Sequence, residues 1–99
     1  MTPTRIQSMV KRGDEVREKQ LRGIDFRGLD LAGGMFSECD FSGADLSGAN
    51  LGGSVFDRCV LAGSNLSSAA VGECVFTRCE APAVRMPGAK LDGVMFETC

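Results

Sequence analysis

Phe41-Ser42-Gly43-Ala44-Asp45-Leu46-Ser47-Gly48-Ala49-Asn50-Leu51-Gly52-Gly53 places a large apolar residue at every fifth position, with a glycine two residues after each. Extended both ways the period never slips: Leu21, Phe26, Leu31, Phe36, Phe41, Leu46, Leu51, Phe56, Leu61, Leu66, Val71, Phe76, Ala81, Met86, Leu91 and Phe96. A helix repeats apolar residues every three or four positions and a flat strand every two. A period of five fits neither and points to a solenoid.

Each position of the pentad has its own chemistry. Two residues before the centre the side chain is small or moderately apolar, as at Cys39, Ala44, Ser54, Cys59, Ser64 and Cys74. Just before the centre Asp25, Asp30, Asp40, Asp45, Asn50 and Asn65 recur. Ala44-Asp45-Leu46-Ser47-Gly48 and Ala49-Asn50-Leu51-Gly52-Gly53 resemble the motif of the pentapeptide-repeat family, Ala-Asp/Asn-Leu-x-x, and the register covers residues 19–99. The resemblance implies an all-β fold: a right-handed, quadrilateral β-helix in which one pentad forms one face and about twenty residues form one coil.

The residues support a twenty-residue coil on their own. Met35-Phe36, Val55-Phe56, Val75-Phe76 and Met95-Phe96 recur at that interval, each followed by Cys39, Cys59, Cys79 or Cys99. Four coils ~4.8 Å apart predict a rod roughly 19 Å long. Glycine in the second corner position suits the positive φ of a type II turn, and Pro87-Gly88 is the preferred pair. The fourth corner of each coil, Ser37-Glu38, Asp57-Arg58, Thr77-Arg78 and Glu97-Thr98, lacks glycine, which predicts a different turn without positive φ. Ala81-Pro82-Ala83 weakens the pattern, so the last coil is expected to be looser.

Residues 1–20 are expected to form an N-terminal helical cap, and residues 21–99 the β-helix. Thr2-Pro3 reads as an N-cap with proline in the first turn. Ile6, Met9, Val10, Gly13 and Val16 then make an apolar stripe, with a break at Gly13-Asp14. The stripe suits a cover for the first coil, which open arrays need, or a docking helix.

Ninety-nine residues make one domain at most, and with six Phe but no Trp or Tyr the interior must be aliphatic and Phe-lined. No long apolar run spans a membrane and no signal segment leads the chain, so the cytoplasm is the expected compartment and no membrane partner is expected. Residues 1–27 hold seven basic and four acidic side chains, whereas residues 28–99 hold four and nine. A basic head on an acidic body favours a head-to-body contact or a charged partner about equally.

Candidate chemistry is sparse. The five cysteines all take the inward small position. A straight column of thiols ~4.8 Å apart can neither surround zinc nor meet the ~3.8 Å Cβ separation of a relaxed disulfide, so buried free thiols are expected, with Cys99 the reactive one. There is no His, phosphate loop or nucleophile elbow, so no catalytic, metal or cofactor site is expected. The outward position of the fourth face reads Met35, Val55, Val75, Met95, an apolar column that is either a partner-binding stripe or the seat of the leading helix. Met86, Leu91, Phe96 and Cys99 are expected at an uncovered C-terminal edge, an end-to-end interface for a homodimer.

The resulting expectation is a non-enzymatic bacterial protein–protein interaction or adaptor module, a rigid rod meeting a protein partner. The resemblance also implies two alternatives, an accessory part of a secretion-associated protein and a DNA mimic that binds DNA gyrase in the manner of quinolone-resistance proteins. Duplex DNA carries roughly 11 charges over 19 Å, against a net charge of −5 on residues 28–99. Mimicry therefore needs two rods end to end, and direct nucleic-acid binding is not expected.

Overall fold

The computed structural model describes residues 2–81, 84–90 and 92–97. A helix, α1 (Pro3–Lys11), precedes five three-residue strands: β1 (Glu15–Arg17), β2 (Met35–Ser37), β3 (Val55–Asp57), β4 (Val75–Thr77) and β5 (Met95–Glu97). The strands form one parallel sheet in sequence order, and each residue pairs with the one twenty positions on, as Phe36 with Phe56. The other three faces are ladders of single bridges at the same offset: Gln20 with Asp40, Asp25 with Asp45, Asp30 with Asn50. The fold is a four-sided β-solenoid of about four coils.

The pentad centres fill the tube. Phe26, Phe41, Leu46, Leu51, Leu61 and Leu66 are fully buried. Burial of each contributes about 1.5–3 kcal/mol before entropy is charged against it. Phe36, Phe56, Phe76 and Phe96 stack with centroids 4.8, 4.9 and 4.9 Å apart and ring planes within 13° of parallel. Rings this nearly parallel need coils with little twist between them, and a side-chain ladder is what holds a sheet flat.

The helix is shorter than the leading segment. Thr2 caps its start, accepting from Arg5 N at 3.2 Å. Gly13, at φ 80°, ends it: Gly13 N donates to Val10 O and Asp14 N to Met9 O, a Schellman arrangement. The chain then enters β1, so Val16 is no part of a helical stripe; it is buried and paired with Phe36 in the sheet. Ile6 and Val10 bury against this first coil, and Lys11 reaches Asp30 at 3.3 Å. α1 is thus a lid over the tube.

The fourth corner corrects the sequence expectation. Glu18, Glu38, Arg58 and Arg78 all have φ between 53° and 56° despite carrying side chains. At corners with and without glycine the second residue turns its N–H along the rod: Gly23 donates to Ser42 O at 2.9 Å, and Glu38 donates to Asp57 O at 2.9 Å. That axial bond imposes the left-handed conformation whether or not glycine is present. The turn itself does differ. Ile24 N returns to Leu21 O and closes the first corner, whereas Ser37 lies in a strand and the chain bends at Glu38.

Candidate functional site

The fourth face differs from the others for a backbone reason. On the other faces six first-corner N–H groups among the described residues are satisfied by the residue two positions earlier, among them Arg27 N by Asp25, Ser42 N by Asp40, Ser47 N by Asp45, Gly52 N by Asn50 and Ser67 N by Asn65, whereas Val60 and Ala70 stand at the same position without a side-chain acceptor. These acidic and amide side chains are corner caps. Where Arg85 replaces one, the corner residue is Pro87, which has no N–H to cap. On the fourth face the first corner residue is itself paired in the sheet, Ser37 with Asp57 and Asp57 with Thr77. The outward residue there is released from capping.

The residues at that released position are apolar and open to solvent. Met35 is 46%, Val55 38% and Met95 56% exposed, while Val75 is half-buried. α1 lies against β1 at the end of the rod and does not cover them. Of the two seats open to the sequence, the helix takes the tube mouth and leaves the stripe bare.

Two borders frame the stripe. One is a shelf with few side chains, Ala32, Gly33, Gly52, Gly53 and Gly72, interrupted at Glu73. The other is a ridge of second corner residues that reads Glu18, Glu38, Arg58, Arg78 along the rod. Arg17 reaches Glu18 at 3.2 Å and Glu38 at 3.4 Å, and Arg78 reaches Asp57 at 3.2 Å. Arg58 makes no ion pair among the described residues. Sequence reasoning missed this ridge because the fourth corner was set apart for its missing glycine, not read down its column.

At the other end Met86 is half-buried and Phe96 is 53% exposed, with one ring face on Phe76. Leu91 and Cys99, the remaining residues of the expected end-to-end interface, lie outside the described residues. Cys39, Cys59, Cys74 and Cys79 are buried and form no disulfide with one another. Their thiols bond to carbonyls of the preceding coil, Cys39 to Val16 O at 3.2 Å and Cys79 to Phe56 O at 3.1 Å. Cys59, sharing hydrogen bonds with Cys39 and Cys79 and shielded from water, is raised far above the usual thiol range. Its neighbour Cys39, stabilised by the bond from Cys59, is drawn down to about 7, yet it is only 1% exposed.

The carboxylates are structural in their electrostatics too. Asp25 is lowered to about 2 by the Arg27 side chain first and its N–H second. Asp40 and Asp45 are lowered chiefly by the Ser42 and Ser47 hydroxyls, and Asp30 by the Ala32 N–H and then Lys11. Among the described residues no group of three or more His, Cys, Asp or Glu could hold a metal ion. No helix among them is long and apolar enough to cross a membrane.

Comparison with known proteins agrees with this geometry. Residues 36–78 match the family model described as pentapeptide repeats, in eight copies. No curated protein matches the sequence. Among solved structures, QnrB1, a plasmid-mediated fluoroquinolone resistance protein, is similar at TM-score 0.80 and 23% identity, over 86% of this chain and 44% of its own. The chain thus spans less than half of that protein's length. The pentapeptide repeat protein alr5209 from Nostoc Pcc 7120 is similar at TM-score 0.80 and 21% identity, over 96% of this chain and 95% of its own. Residues 36–78 are thus pentapeptide repeats, and the same twenty-residue coil continues on both sides of them.

Proposed function

We propose that the chain is a non-enzymatic protein–protein interaction module whose fourth face is the contact surface. The observation that carries this reading is the uncovered column Met35, Val55 and Met95, at a position where the backbone makes no demand for an apolar side chain. A continuous apolar row along a rod marks an interaction site more strongly than scattered surface residues do. A reducing compartment such as the cytoplasm suits the buried free thiols of Cys39, Cys59 and Cys74.

Two features weigh against the gyrase-binding role suggested by the likeness to a fluoroquinolone resistance protein. The acidic columns turn neutral and then basic along the rod, as Asp25, Asp45, Asn65, Arg85 and as Asp30, Asn50, Ala70, Lys90. Asp25 and Asp45 are also partly neutralised by Arg27, at 2.8 and 3.9 Å. DNA mimicry asks for an unbroken row of negative charge.

Photo-cross-linking from position 55 and from position 45, on opposite sides of this question, tests the proposal in extracts of the native cell. The expected result is a defined adduct from position 55 that is lost in Met35→Asp. Equal labelling from both positions, or inhibition of gyrase supercoiling that survives Met35→Asp, would overturn it.

A further inference from the structure

We propose that the partner of the fourth face is a second copy of the chain, packed face to face and antiparallel about a two-fold axis that runs along the strands between β2 and β3. The inference rests on the reading of this face as a contact surface and names its occupant. A two-fold along the strands keeps left and right edges in place and inverts the order of the coils. It therefore tests whether each border of the stripe is complementary to itself upside down.

The charged ridge is. Glu38 of one copy meets Arg58 of the other, and Glu18 meets Arg78, each pair formed twice. Ser37 meets Asp57, and Arg17 meets Thr77. At the centre Met35 faces Val55 twice, and toward the ends Glu15, the first residue of the same outward row, faces Val75, with Met95 outside the contact. Arg58, without an ion pair in its own chain among the described residues, gains one.

The shelf supplies an independent reason. Gly52 is not in the left-handed region, and a Cβ there would meet Asn50 Oδ1 at 3.3 Å and Gly72 O at 3.8 Å, so one chain alone does not require glycine. In the antiparallel pair Gly52-Gly53 lies opposite Ala32-Gly33, where missing side chains let two backbones approach. Shifting the axis by one coil would match Val55 to Val75 and Met35 to Met95, but it would set Arg58 against Arg78. Like-charge opposition selects the register.

A face about 22 Å on each side buries on the order of 1,000 Å² in total, the low end for a specific complex. The dimer is accordingly weak and concentration-dependent. Sedimentation equilibrium of the full chain should show monomer and dimer exchanging below about 1 mM, with association falling as salt rises. Glu38→Arg and Arg58→Glu should each weaken association at least about tenfold, and the double exchange should restore it. Each replacement residue already occupies the same corner slot in the neighbouring coil, so the backbone conformation is kept, and circular dichroism verifies that each variant folds.

A monomer at every concentration up to about 1 mM would overturn the proposal, leaving the contact-surface reading to the cross-linking. A dimer abolished by Val55→Asp but indifferent to the charge exchanges would overturn the antiparallel register while keeping the face. A dimer abolished by Phe96→Asp and indifferent to Val55→Asp would place association at the end of the rod and overturn both.

Discussion

The Ser54 hydroxyl donates to the carbonyl of Leu31, 23 residues earlier, at 3.0 Å. The same step joins Cys39 to Val16, Cys59 to Phe36, Cys74 to Leu51 and Cys79 to Phe56. Inward polar atoms in this tube therefore bond across one coil to the carbonyl of a pentad centre. Ser64 occupies the equivalent slot above Phe41, is fully buried, and has no hydrogen-bond partner for its hydroxyl among the described residues. Ser64→Ala should raise the unfolding free energy by about 1 kcal/mol, because it removes an unsatisfied hydroxyl, whereas Ser54→Ala should lower it by a similar amount. Urea denaturation of the two variants checks both signs.

The Phe ladder predicts a steep cost for truncation at its middle. Phe56 is held between Phe36 and Phe76 and is touched edge-on by Phe41 at 5.7 Å. Phe56→Ala should destabilise by about 3–5 kcal/mol, since flanking rings fixed in the same stack cannot collapse into the void. Thermal unfolding followed by far-ultraviolet circular dichroism measures it.

Gly34 is required by the same ladder. A Cβ there would stand 2.5 Å from Phe36 Cε2 and 3.1 Å from Leu31 O, and the Phe36 ring is pinned by Phe41 and Phe56. Gly34→Ala should cost about 1–3 kcal/mol through displacement of the ring. Gly52→Ala, whose Cβ would press on Asn50 Oδ1 at 3.3 Å but meet backbone only at 3.8 Å, should cost the isolated rod less than Gly34→Ala in the same measurement.

Acid should loosen the corners. Asp25, Asp30, Asp40 and Asp45 all have pKa values lowered by folding. Their contribution is whole above the unfolded value near 4 and is lost as pH falls through the folded values, about 2 for Asp25. The urea midpoint should be flat from neutral pH down to about 5 and decline below about 4. Asp45→Asn should flatten part of the decline, because Asn65 already caps the corner above with an amide.

The buried thiols should resist modification. Cys39, Cys59, Cys74 and Cys79 are each under 5% exposed and lie inside a closed tube. A maleimide should leave all four unmodified in the native protein, and mass spectrometry after denaturant should find them labelled.

The extent to which the fold was legible follows from how strictly each feature depends on period. The coil, the inward columns and the apolar outward row depend only on spacing, and spacing is printed in the sequence; that the helix leaves the row uncovered depends on where α1 docks, which spacing does not encode. Val16 fell on the same period, one step before Leu21, but its neighbours Ile6, Met9 and Val10 also fit a helical stripe, and helix spacing claimed it. The sign of φ at Glu38 and Arg58 was misread because residue preference was weighed alone. An axial hydrogen bond outweighs that preference, and such a bond is invisible until the coils are stacked. The caps recur in the sequence just before the pentad centres; their bonds to the corner N–H appear only when Asp45 and Ser47 are placed in one turn.

Because Phe36 looks up to Phe56 at an interval of twenty residues, the length of this molecule is quantised. Losing or duplicating one whole coil, such as residues 41–60, returns every side chain to an equivalent berth and alters the rod by a single ~4.8 Å step. An indel of fifteen residues would preserve the pentad yet rotate everything beyond it by one wall, carrying Val75 onto a side where Asp40 or Asn50 caps a corner N–H. Such a protein can be lengthened like a ruler, but only by the full inch.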